Sequence, residues 1–332
     1  MRAKAPLRLS FAGGGTDVSP FPETEGGAVL SATIDRYAYG SLQPRDDRRV
    51  AVHSLDLGLS LDFDLAESPA FDGELDLVKA AIRKVGGDSG GYDLLLRSNA
   101  PPGSGLGSSS TMMVALVGLL REHHGLPLSD YDIAHLAYVT ERQDLGIQGG
   151  LQDHYAAAFG GFNFIEFGER VVVNPLRIKD SIVNELQLSL LLCYTGTTRQ
   201  SSRIISDQTA RVQTGQAETL EGLRAQKELA IAMKSALLRG ELREFGSLLD
   251  EAWKQKKRMS PLIATDFIED AYEVAMKAGA LGGKVTGAGG GGHILFYCDF
   301  SRQHRLAEDL VRMGASVTDF AFEPRGLITW RA

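Results

Sequence analysis

Residues 101–111 read PPGSGLGSSST, and this glycine- and serine-rich stretch is the most informative in the sequence. Its glycines, Gly103, Gly105 and Gly107, permit positive φ angles and let the backbone approach a ligand closely. The serines that follow open a run of apolar residues spaced three to four apart, which predicts a helix over residues 109–123. A helix start offers unpaired amides and a positive dipole end to an anion. The stretch predicts a phosphate-binding loop, and the alternative is a glycine-rich turn with serine capping.

Two common nucleotide-binding loops do not fit these residues. A Walker A loop ends in Gly-Lys followed by Ser or Thr, whereas Gly107 is followed by three serines. A dinucleotide-binding fingerprint needs G-x-G-x-x-G in a strand-turn-helix unit, and the glycine spacing here differs. The loop therefore predicts another class of phosphate site. Its expected phosphate-binding residues are Pro102, Gly103, Ser104, Gly105, Gly107, Ser108, Ser109 and Ser110.

Two further glycine-rich segments lie near the ends of the chain. Residues 5–17 read APLRLSFAGGGTD, and residues 284–293 read KVTGAGGGGH. Glycine buries no side chain and loses the most backbone entropy on folding, so packing does not explain these clusters. Close approach to a ligand or to another backbone explains them better.

In order, spacing and content, the three segments resemble the three motifs of the GHMP small-molecule kinases, the superfamily of galactokinase, homoserine kinase and mevalonate kinase. Within it, the GGGTD form, residues 146–167 (GIQGGLQDHYAAAFGGFNFIEF) and residues 195–202 (TGTTRQSS) resemble the D-glycero-D-manno-heptose 7-phosphate kinases. The resemblance implies an α+β fold. Residues 1–185 would form a ribosomal-S5-like N-terminal domain with the phosphate loop, and residues 186–332 a ferredoxin-like C-terminal domain.

The same resemblance implies a reaction. The γ-phosphate of ATP would pass, with Mg²⁺, to the anomeric hydroxyl of D-glycero-D-manno-heptose 7-phosphate, giving the 1,7-bisphosphate used for nucleotide-activated heptose and surface polysaccharides. Two alternatives stay open: a GHMP sugar 1-kinase acting on an unphosphorylated, fucose-like or galactose-like sugar, and a GHMP-fold binding protein without catalysis.

Phosphoryl transfer needs a metal, positive charge and a group that orients or deprotonates the acceptor. Asp153 matches the catalytic base of galactokinase and mevalonate kinase, and Arg8 matches an arginine that polarises the acceptor or steadies that base. Ser109 and Glu141 match the pair that holds Mg²⁺ in mevalonate kinase, and oxygen ligands of this kind suit the ion. The alternatives are a helix cap for Asp153 and an exposed ion pair with Arg142 for Glu141.

Substrate contacts are expected from three segments. Asp17 would hold sugar hydroxyls, and the glycines at positions 14 and 15 stand where galactokinase has Glu-His, which leaves room for a bulkier sugar. Arg199 offers a planar fork for the substrate's own phosphate, amid hydroxyls that could instead form a serine- and threonine-rich turn. The expected substrate ligands are Gly13, Gly14, Gly15, Thr16, Asp17, Thr197, Arg199, Ser201, Ser202, Gly289 and Gly290. His293 is expected to be a packed residue at a strand start.

Composition limits the other classes of function. The 332 residues allow two domains, and the net charge of −7 disfavours nucleic acid as a partner. No run approaches the ~18 apolar residues of a membrane helix, and the N-terminus lacks the apolar region of a secretion signal. Cys193 and Cys298 are expected to be reduced core residues. We therefore expect a cytoplasmic enzyme with no membrane partner; a homodimer is left open.

Periodicity predicts interspersed strands and helices, which is typical of an α+β fold. The predicted strands are Leu7–Ala12, Ala28–Ile34, Tyr37–Leu42, Arg49–Ser54, Leu59–Phe63, Tyr92–Arg97, Phe162–Phe167, Leu188–Tyr194, Gly283–Thr286, His293–Tyr297 and residues 316–322. The predicted helices are Leu75–Val85, Ser109–His123, Ser129–Leu145 and residues 208–238, 241–258, 265–278 and 301–313.

Overall fold

The larger of two sheets organises the first half of the chain. The computed structural model describes residues 1–67, 69–86, 90–198 and 201–332. In this part of the chain, the larger sheet comprises β1 (Arg2–Ala12), β2 (Gly27–Pro44), β3 (Arg49–Ser54), β4 (Leu59–Asp64), β5 (Tyr92–Ser98), β6 (Phe162–Phe167), β7 (Val172–Pro175) and, near the C-terminus, β12 (Ile328–Trp330). Its order is β12-β1-β2-β5-β3-β4, and β6 and β7 continue from the other end of β2. The β3–β5 pair is parallel and the others are antiparallel.

Helices cover one face of this sheet. They are α2 (Asp76–Val85), α3 (Ser108–His124), α4 (Asp130–Tyr138) and α5 (Gln152–Phe159), and a π-helical segment, Val139–Asp144, follows α4. The short helix α1 (Phe21–Glu25) instead packs toward the second half of the chain, where Phe21 shares a cluster with Leu191 and Leu223. Helix α3 is central, because residues all along it are buried against β1, β2 and the neighbouring helices. The N-terminal end of this fixed helix carries the expected phosphate loop.

The second half is built on a smaller antiparallel sheet of β8 (Leu190–Tyr194), β9 (Ala280–Val285), β10 (His293–Cys298) and β11 (Ser316–Val317), in the order β11-β8-β10-β9. Its helices are α6 (Asp180–Ser189), α7 (Ser201–Gln213), α8 (Ala217–Arg239), α9 (Leu242–Met259), α10 (Asp266–Ala278) and α11 (Phe300–Arg312). The predicted α+β class is confirmed.

One core joins the two halves. Phe11 of β1 and Leu30 of β2 pack in the same cluster as Phe245 and Leu249 of α9. Strand β12 returns to pair with β1 in the larger sheet, so the end of the chain contacts its beginning. The predicted division between residues 185 and 186 falls within α6 and stays a prediction.

Most predicted elements are present, but the structure differs from the prediction at several places. The strands predicted at 28–34 and 37–42 form one long β2, because a register irregularity between Pro6 and Leu7 of β1 absorbs the break. The single helix predicted over 208–238 is wrong: Gly215, with φ of 68°, separates α7 from α8. The helix predicted to reach residue 145 changes to π-helical geometry after residue 138. The predicted strand 316–322 is limited to β11, and α1, α6, β7 and β12 were not predicted.

Among the described residues, no helix is both long enough and apolar enough to span a bilayer. Cys193 and Cys298 are buried free thiols, as predicted.

Candidate active site

A cleft of about 540 Å³ brings the three glycine-rich segments together. One wall consists of the loop at residues 102–110, and the segment at 286–288 lies beside it. The rest of the lining comes from the first glycine-rich segment and from helices α7 and α9. Residues that are far apart in sequence therefore meet where a donor and an acceptor molecule could lie side by side.

The loop at 102–110 has the backbone geometry that its glycines permit. Gly103, Gly105 and Gly107 have φ angles of 76°, 80° and 77°. Helix α3 begins at Ser108, and Ser109 and Ser110 occupy its first turn facing the cleft. Ser104 is fully buried and lies behind the loop, where its carbonyl accepts a hydrogen bond from the His293 amide at 3.0 Å. The exposed part of the loop is thus a helix N-terminus suited to phosphate groups.

The third glycine-rich segment supports this loop from behind. A Cβ atom on Gly287 would lie 2.6 Å from the Gly105 Cα, and one on Gly292 would lie 2.6 Å from the Ser104 carbonyl oxygen. The Thr286 hydroxyl donates to the Gly105 carbonyl at 3.0 Å. Close contact between backbones therefore explains these glycines.

Gly289 and Gly290 have a different position from the expected one. They do not line the cleft: a Cβ on Gly289 would lie 2.9 Å from the Ile263 carbonyl oxygen, to which the Gly290 amide also donates. His293 is a buried strand-start residue, as predicted, and its Nδ1 lies 2.8 Å from the Ser104 carbonyl.

Arg8 and Asp153 form an ion pair at the floor of the cleft. Arg8 Nε and Nη2 donate to Asp153 Oδ1 at 2.8 and 2.7 Å, and Arg8 Nη1 donates to the Gly105 carbonyl at 2.6 Å. Asp153 lies in the first turn of α5 and makes no side-chain capping bond. A Cβ on Gly107 would lie 3.2 Å from the Asp153 carboxylate, so this glycine keeps the carboxylate beside the phosphate loop.

Glu141 is held at the other side of the loop by the π-helical segment. Its Oε1 accepts a hydrogen bond from the Ser109 hydroxyl, and its Oε2 lies 2.6 Å from His154 Nε2. Arg142 Nη1 is 3.3 Å from Oε1 and its Nη2 donates to the Ser110 hydroxyl at 2.8 Å. The pair with Arg142 thus exists, but Glu141 is buried rather than exposed. A π-helical turn is a frequent device for placing a functional side chain.

The surroundings of Glu141 keep it ionised. Burial acts to raise the pKa of Glu141, but Arg142, His154 and Ser109 outweigh burial and lower this pKa to about 2. An ionised carboxylate next to a serine hydroxyl is a donor set that fits Mg²⁺, which prefers a few oxygen ligands and completes its shell with water and substrate phosphates. Clusters of three or more His, Cys, Asp or Glu ligands are absent from the described residues. Such a cluster is not needed for a metal of this kind.

Asp17 lies next to Asp153 on the floor of the cleft. Its carboxylate accepts hydrogen bonds from the Gly15 amide at 3.0 Å and from the Gln152 amide and side chain at 3.1 Å each. Burial raises the pKa of Asp17 and the neighbouring Asp153 adds to this effect, although the amides of Gln152 and Gly15 oppose it. This side chain is fixed in place and lines the cleft.

Two other expected ligands in the first segment lie away from the cleft. Thr16 is fully buried, and its hydroxyl donates to the carbonyls of Gly13 and Ala28. A Cβ on Gly13 would lie 1.9 Å from the Ala28 carbonyl oxygen. Gly13 and Thr16 therefore shape the loop, while Gly14 and Gly15 line the cavity.

Helix α7 contributes to the lining of the cleft. Ser201, Ser202 and Gln208 line the cavity together with Thr198, which precedes the helix. Thr197 is exposed and its carbonyl accepts the Gly292 amide. Arg199 lies outside the described residues.

Two buried lysines in the cleft were not predicted as site residues. Lys256 and Lys284 are 4% and 2% exposed and both line the cavity. Lys284 Nζ donates to the carbonyls of Ser10 and Val285 at 3.0 Å each. Lys256 lies on the same face of α9 as Phe245, Leu249 and Ala252, so the helical spacing directs it inward. That spacing is the signal by which sequence reasoning could have found it.

The match to known domain families agrees with this architecture. The family described as GHMP kinases N terminal domain matches residues 76–161, and the family described as GHMP kinases C terminal matches residues 233–316. The chain belongs to the GHMP kinases and is an ATP-dependent sugar kinase.

The individual proteins to which the chain is similar include two heptose kinases and a putative sugar kinase. The chain is 39% identical to the D-glycero-alpha-D-manno-heptose 7-phosphate kinase of Campylobacter jejuni, and the match covers 100% of this chain and 99% of that protein. A crystal structure of a D-glycero-D-manno-heptose 1-phosphate kinase from Bacteroides thetaiotaomicron superposes with a TM-score of 0.84 at 37% identity, covering 100% of this chain and 99% of that one. A putative sugar kinase from Campylobacter jejuni gives 0.81 at 39% identity, covering 100% and 98%. The two heptose kinases carry different phosphate positions in their names.

Proposed function

We propose that this sugar kinase transfers the γ-phosphoryl group of ATP to the anomeric hydroxyl of D-glycero-D-manno-heptose 7-phosphate, giving the 1,7-bisphosphate. One observation carries the proposal: the Asp153 carboxylate, paired with Arg8, lies against Gly107 at the start of α3. A hydroxyl bound at Asp153 is then next to phosphates bound at the helix N-terminus. Similarity to two full-length heptose kinases supports the choice of sugar.

The triphosphate would lie on the amides at the start of α3 and in the turns of Gly103, Gly105 and Gly107. This end of α3 carries unpaired amides and a positive dipole end. Ser109 and Glu141 would hold Mg²⁺, which neutralises phosphate charge and polarises the phosphoryl group when bound. Arg142 would keep the Glu141 carboxylate ionised and fixed.

Asp153 would accept a hydrogen bond from the anomeric hydroxyl and take its proton as the bond to phosphorus forms. Arg8 holds one carboxylate oxygen of Asp153, which leaves the other available to the hydroxyl. A loose phosphoryl-transfer transition state needs orientation more than a strong base. Asp17 would hold a second sugar hydroxyl, because it is fixed beside Asp153 and reaches the same cavity.

The proposed site for the substrate's own phosphate lies on the α7 side of the cleft. Ser201 and Ser202 line the cavity there, and Arg199 and Thr197 belong to the same segment. Gly14 and Gly15 line this cavity, but a Cβ on Gly15 would lie 2.3 Å from the Met259 side chain, so Gly15 permits close packing rather than extra room for the sugar.

Coupled ADP release with ATP and Mg²⁺ against a panel of sugars tests the proposal. The panel contains D-glycero-D-manno-heptose 7-phosphate, the corresponding heptose 1-phosphate, free heptose, fucose and galactose. Turnover is expected with heptose 7-phosphate and new phosphate at the anomeric carbon. Turnover confined to the 1-phosphate would reverse the regiochemistry, and turnover of fucose or galactose alone would contradict the proposed sugar.

We also propose that the enzyme works in the cytoplasm, where ATP is available and its buried thiols stay reduced. We also propose a homodimer, because the exposed apolar residues Phe300 and Val311 lie three turns apart on one face of α11 that a second copy could cover. Sedimentation velocity of the purified enzyme tests this: a dimer is expected, and a single monomeric species contradicts it.

A further inference from the structure

The cations that line the cleft in the described part of the chain differ in their partners. Arg8 binds Asp153, Arg142 binds Glu141 and Ser110, and Lys284 binds two backbone carbonyls. Among the described residues, Lys256 has neither a hydrogen bond nor an ion pair. It is nevertheless buried, with an exposed fraction of 4%.

Burying an ammonium group without a partner is unfavourable, because the protein does not replace the water it loses. The Asp17 carboxylate attracts the Lys256 ammonium group, whereas the nearby Arg8 guanidinium repels it. Lys256 and Arg8 in turn both repel the Lys284 ammonium group. Asp17 already accepts three hydrogen bonds. The local balance of charge therefore favours an anion that enters with a ligand.

The position of Lys256 indicates which anion this is. The triphosphate has its own wall, made by residues 102–110 and the start of α3. Lys256 comes from α9 and lines the cleft together with residues of α7, and the Asp17 carboxylate is near enough to act on its charge. Met259, one turn further along α9, packs against Gly15 of the first glycine-rich segment. Lys256 thus belongs to the acceptor side.

We propose that Lys256 is the principal cationic contact for the phosphate that the acceptor sugar already carries, and that it sets the preference for a phosphorylated sugar. The inference rests on the proposed function, because it assumes an acceptor with its own phosphate. Ser201 and Ser202 would add hydrogen bonds, whereas Lys256 supplies the buried charge. Burial lowers the pKa of Lys256 to about 8, and a bound phosphate dianion would restore its proton affinity.

The first test compares heptose 7-phosphate with free heptose in the wild type, in Lys256→Gln and in Lys256→Arg. The preference, defined as the ratio of the two kcat/KM values, should fall by about 10-fold or more in Lys256→Gln, as expected for a charged hydrogen bond. Lys256→Arg should retain most of it. The matched control is Lys254→Gln, on the same helix but largely exposed, which should leave the ratio unchanged.

An unchanged ratio in Lys256→Gln overturns the inference, as does an equal loss for both sugars, which would indicate a role in sugar binding or folding. Loss of the ratio only in the double variant of Ser201→Ala and Ser202→Ala would assign the phosphate to the start of α7 instead. Wild-type turnover of heptose 7-phosphate tests the proposed function separately, since it does not depend on these ratios.

Binding of inorganic phosphate provides a readout that does not need turnover. With ADP saturating the phosphate loop, calorimetric affinity for inorganic phosphate should fall about 10-fold or more in Lys256→Gln. Equal affinities in wild type and variant contradict the inference.

Lys256→Met keeps the volume and removes the charge. It should raise the melting temperature of the ligand-free enzyme, as expected when an unpaired buried charge is removed from a functional site. A lower melting temperature would indicate that Lys256 stabilises the fold through contacts within the protein, and would contradict its role as a cation reserved for a ligand.

Discussion

The two walls of the cleft are built differently. On the nucleotide side, the loop at 102–110 is fixed by contacts within the protein: Thr286 and Arg8 both donate to the Gly105 carbonyl, and Gly287 packs on the Gly105 backbone. On the proposed acceptor side, Lys256 and the side-chain oxygens of Ser10 and Gln152 line the cleft without partners among the described residues, whereas the unpartnered Ser104 hydroxyl of the loop does not line it. A surface that binds a constant ligand can be completed by the protein. One that selects among sugars leaves groups for the sugar to satisfy, because an incorrect ligand then leaves them unpaired.

Loss of the Asp153 carboxylate should have the largest effect. Asp153→Asn keeps the shape of the side chain but cannot take a proton, so kcat should fall by about 100- to 10,000-fold. ATP affinity should change little, because the residue belongs to the acceptor side. Stopped-flow nucleotide binding and steady-state kinetics measure the two quantities. A variant with wild-type kcat would show that Asp153 does not act on the hydroxyl.

The second-largest effect is expected at Glu141, on the Mg²⁺ concentration that the reaction requires. Glu141→Gln removes the buried negative charge, and we expect the Mg²⁺ concentration for half-maximal rate to rise by at least about 10-fold, comparable to the loss when metal-site partners are removed. Magnesium titrations at saturating ATP and sugar measure this. The control is Glu122→Gln, since Glu122 pairs with Arg331 away from the cleft. An unchanged titration in Glu141→Gln would remove this residue from the proposed metal site.

The acceptor side should also depend on pH. Burial first, then the nearby Arg8, lowers the pKa of Lys256 from 10.5 to about 8, although Asp17 opposes them. Lys256 is therefore protonated below pH 8, and the KM for heptose 7-phosphate should rise above pH 8 by up to about tenfold per pH unit as the ammonium is lost. In Lys256→Arg the KM should stay level over the same range. A level KM in the wild type would contradict this use of the charge.

The same pKa has a consequence for stability. Because the folded-state pKa of Lys256 lies below its unfolded value, protonation at neutral pH opposes folding, and the free energy of unfolding should increase between about pH 8 and 10.5. The stabilising effect of Lys256→Met should be largest below pH 8 and decrease over that interval. Denaturant titrations at several pH values measure it, and an effect that does not vary with pH would have another cause.

Single hydroxyl deletions at the start of α7 should have the smallest effects. Ser201→Ala and Ser202→Ala each remove one neutral hydrogen-bonding group, so the KM for heptose 7-phosphate should rise about 2- to 10-fold. The KM for ATP should not change. Equal increases for both substrates would place these serines outside the acceptor site.

How much the sequence revealed also differs between the walls. The glycine pattern of 101–111 predicted the loop geometry, because a positive φ angle at Gly103, Gly105 and Gly107 is a local property that residue type controls. The glycine pattern of the first segment could not distinguish Gly14, which lines the cleft, from Gly13, which lies against the Ala28 carbonyl. That difference depends on the pairing of distant strands.

Charged residues on the acceptor side were harder to predict. Lys256 stands among other charged residues in KQKKRM, and only its place on the apolar face of α9 distinguishes it. The contact between His154 and Glu141 joins α5 to the π-helical segment, whose geometry no periodicity argument predicted. Partners across separate elements follow from tertiary packing, which a single sequence does not specify.

³¹P NMR of the wild-type reaction with ATP, Mg²⁺ and D-glycero-D-manno-heptose 7-phosphate tests the proposed phosphorylation of the anomeric hydroxyl most directly. We expect a second phosphate signal coupled to the anomeric proton, while the 7-phosphate signal persists. A new phosphate on any other carbon, or ATP hydrolysis without a second sugar phosphate signal, would contradict it.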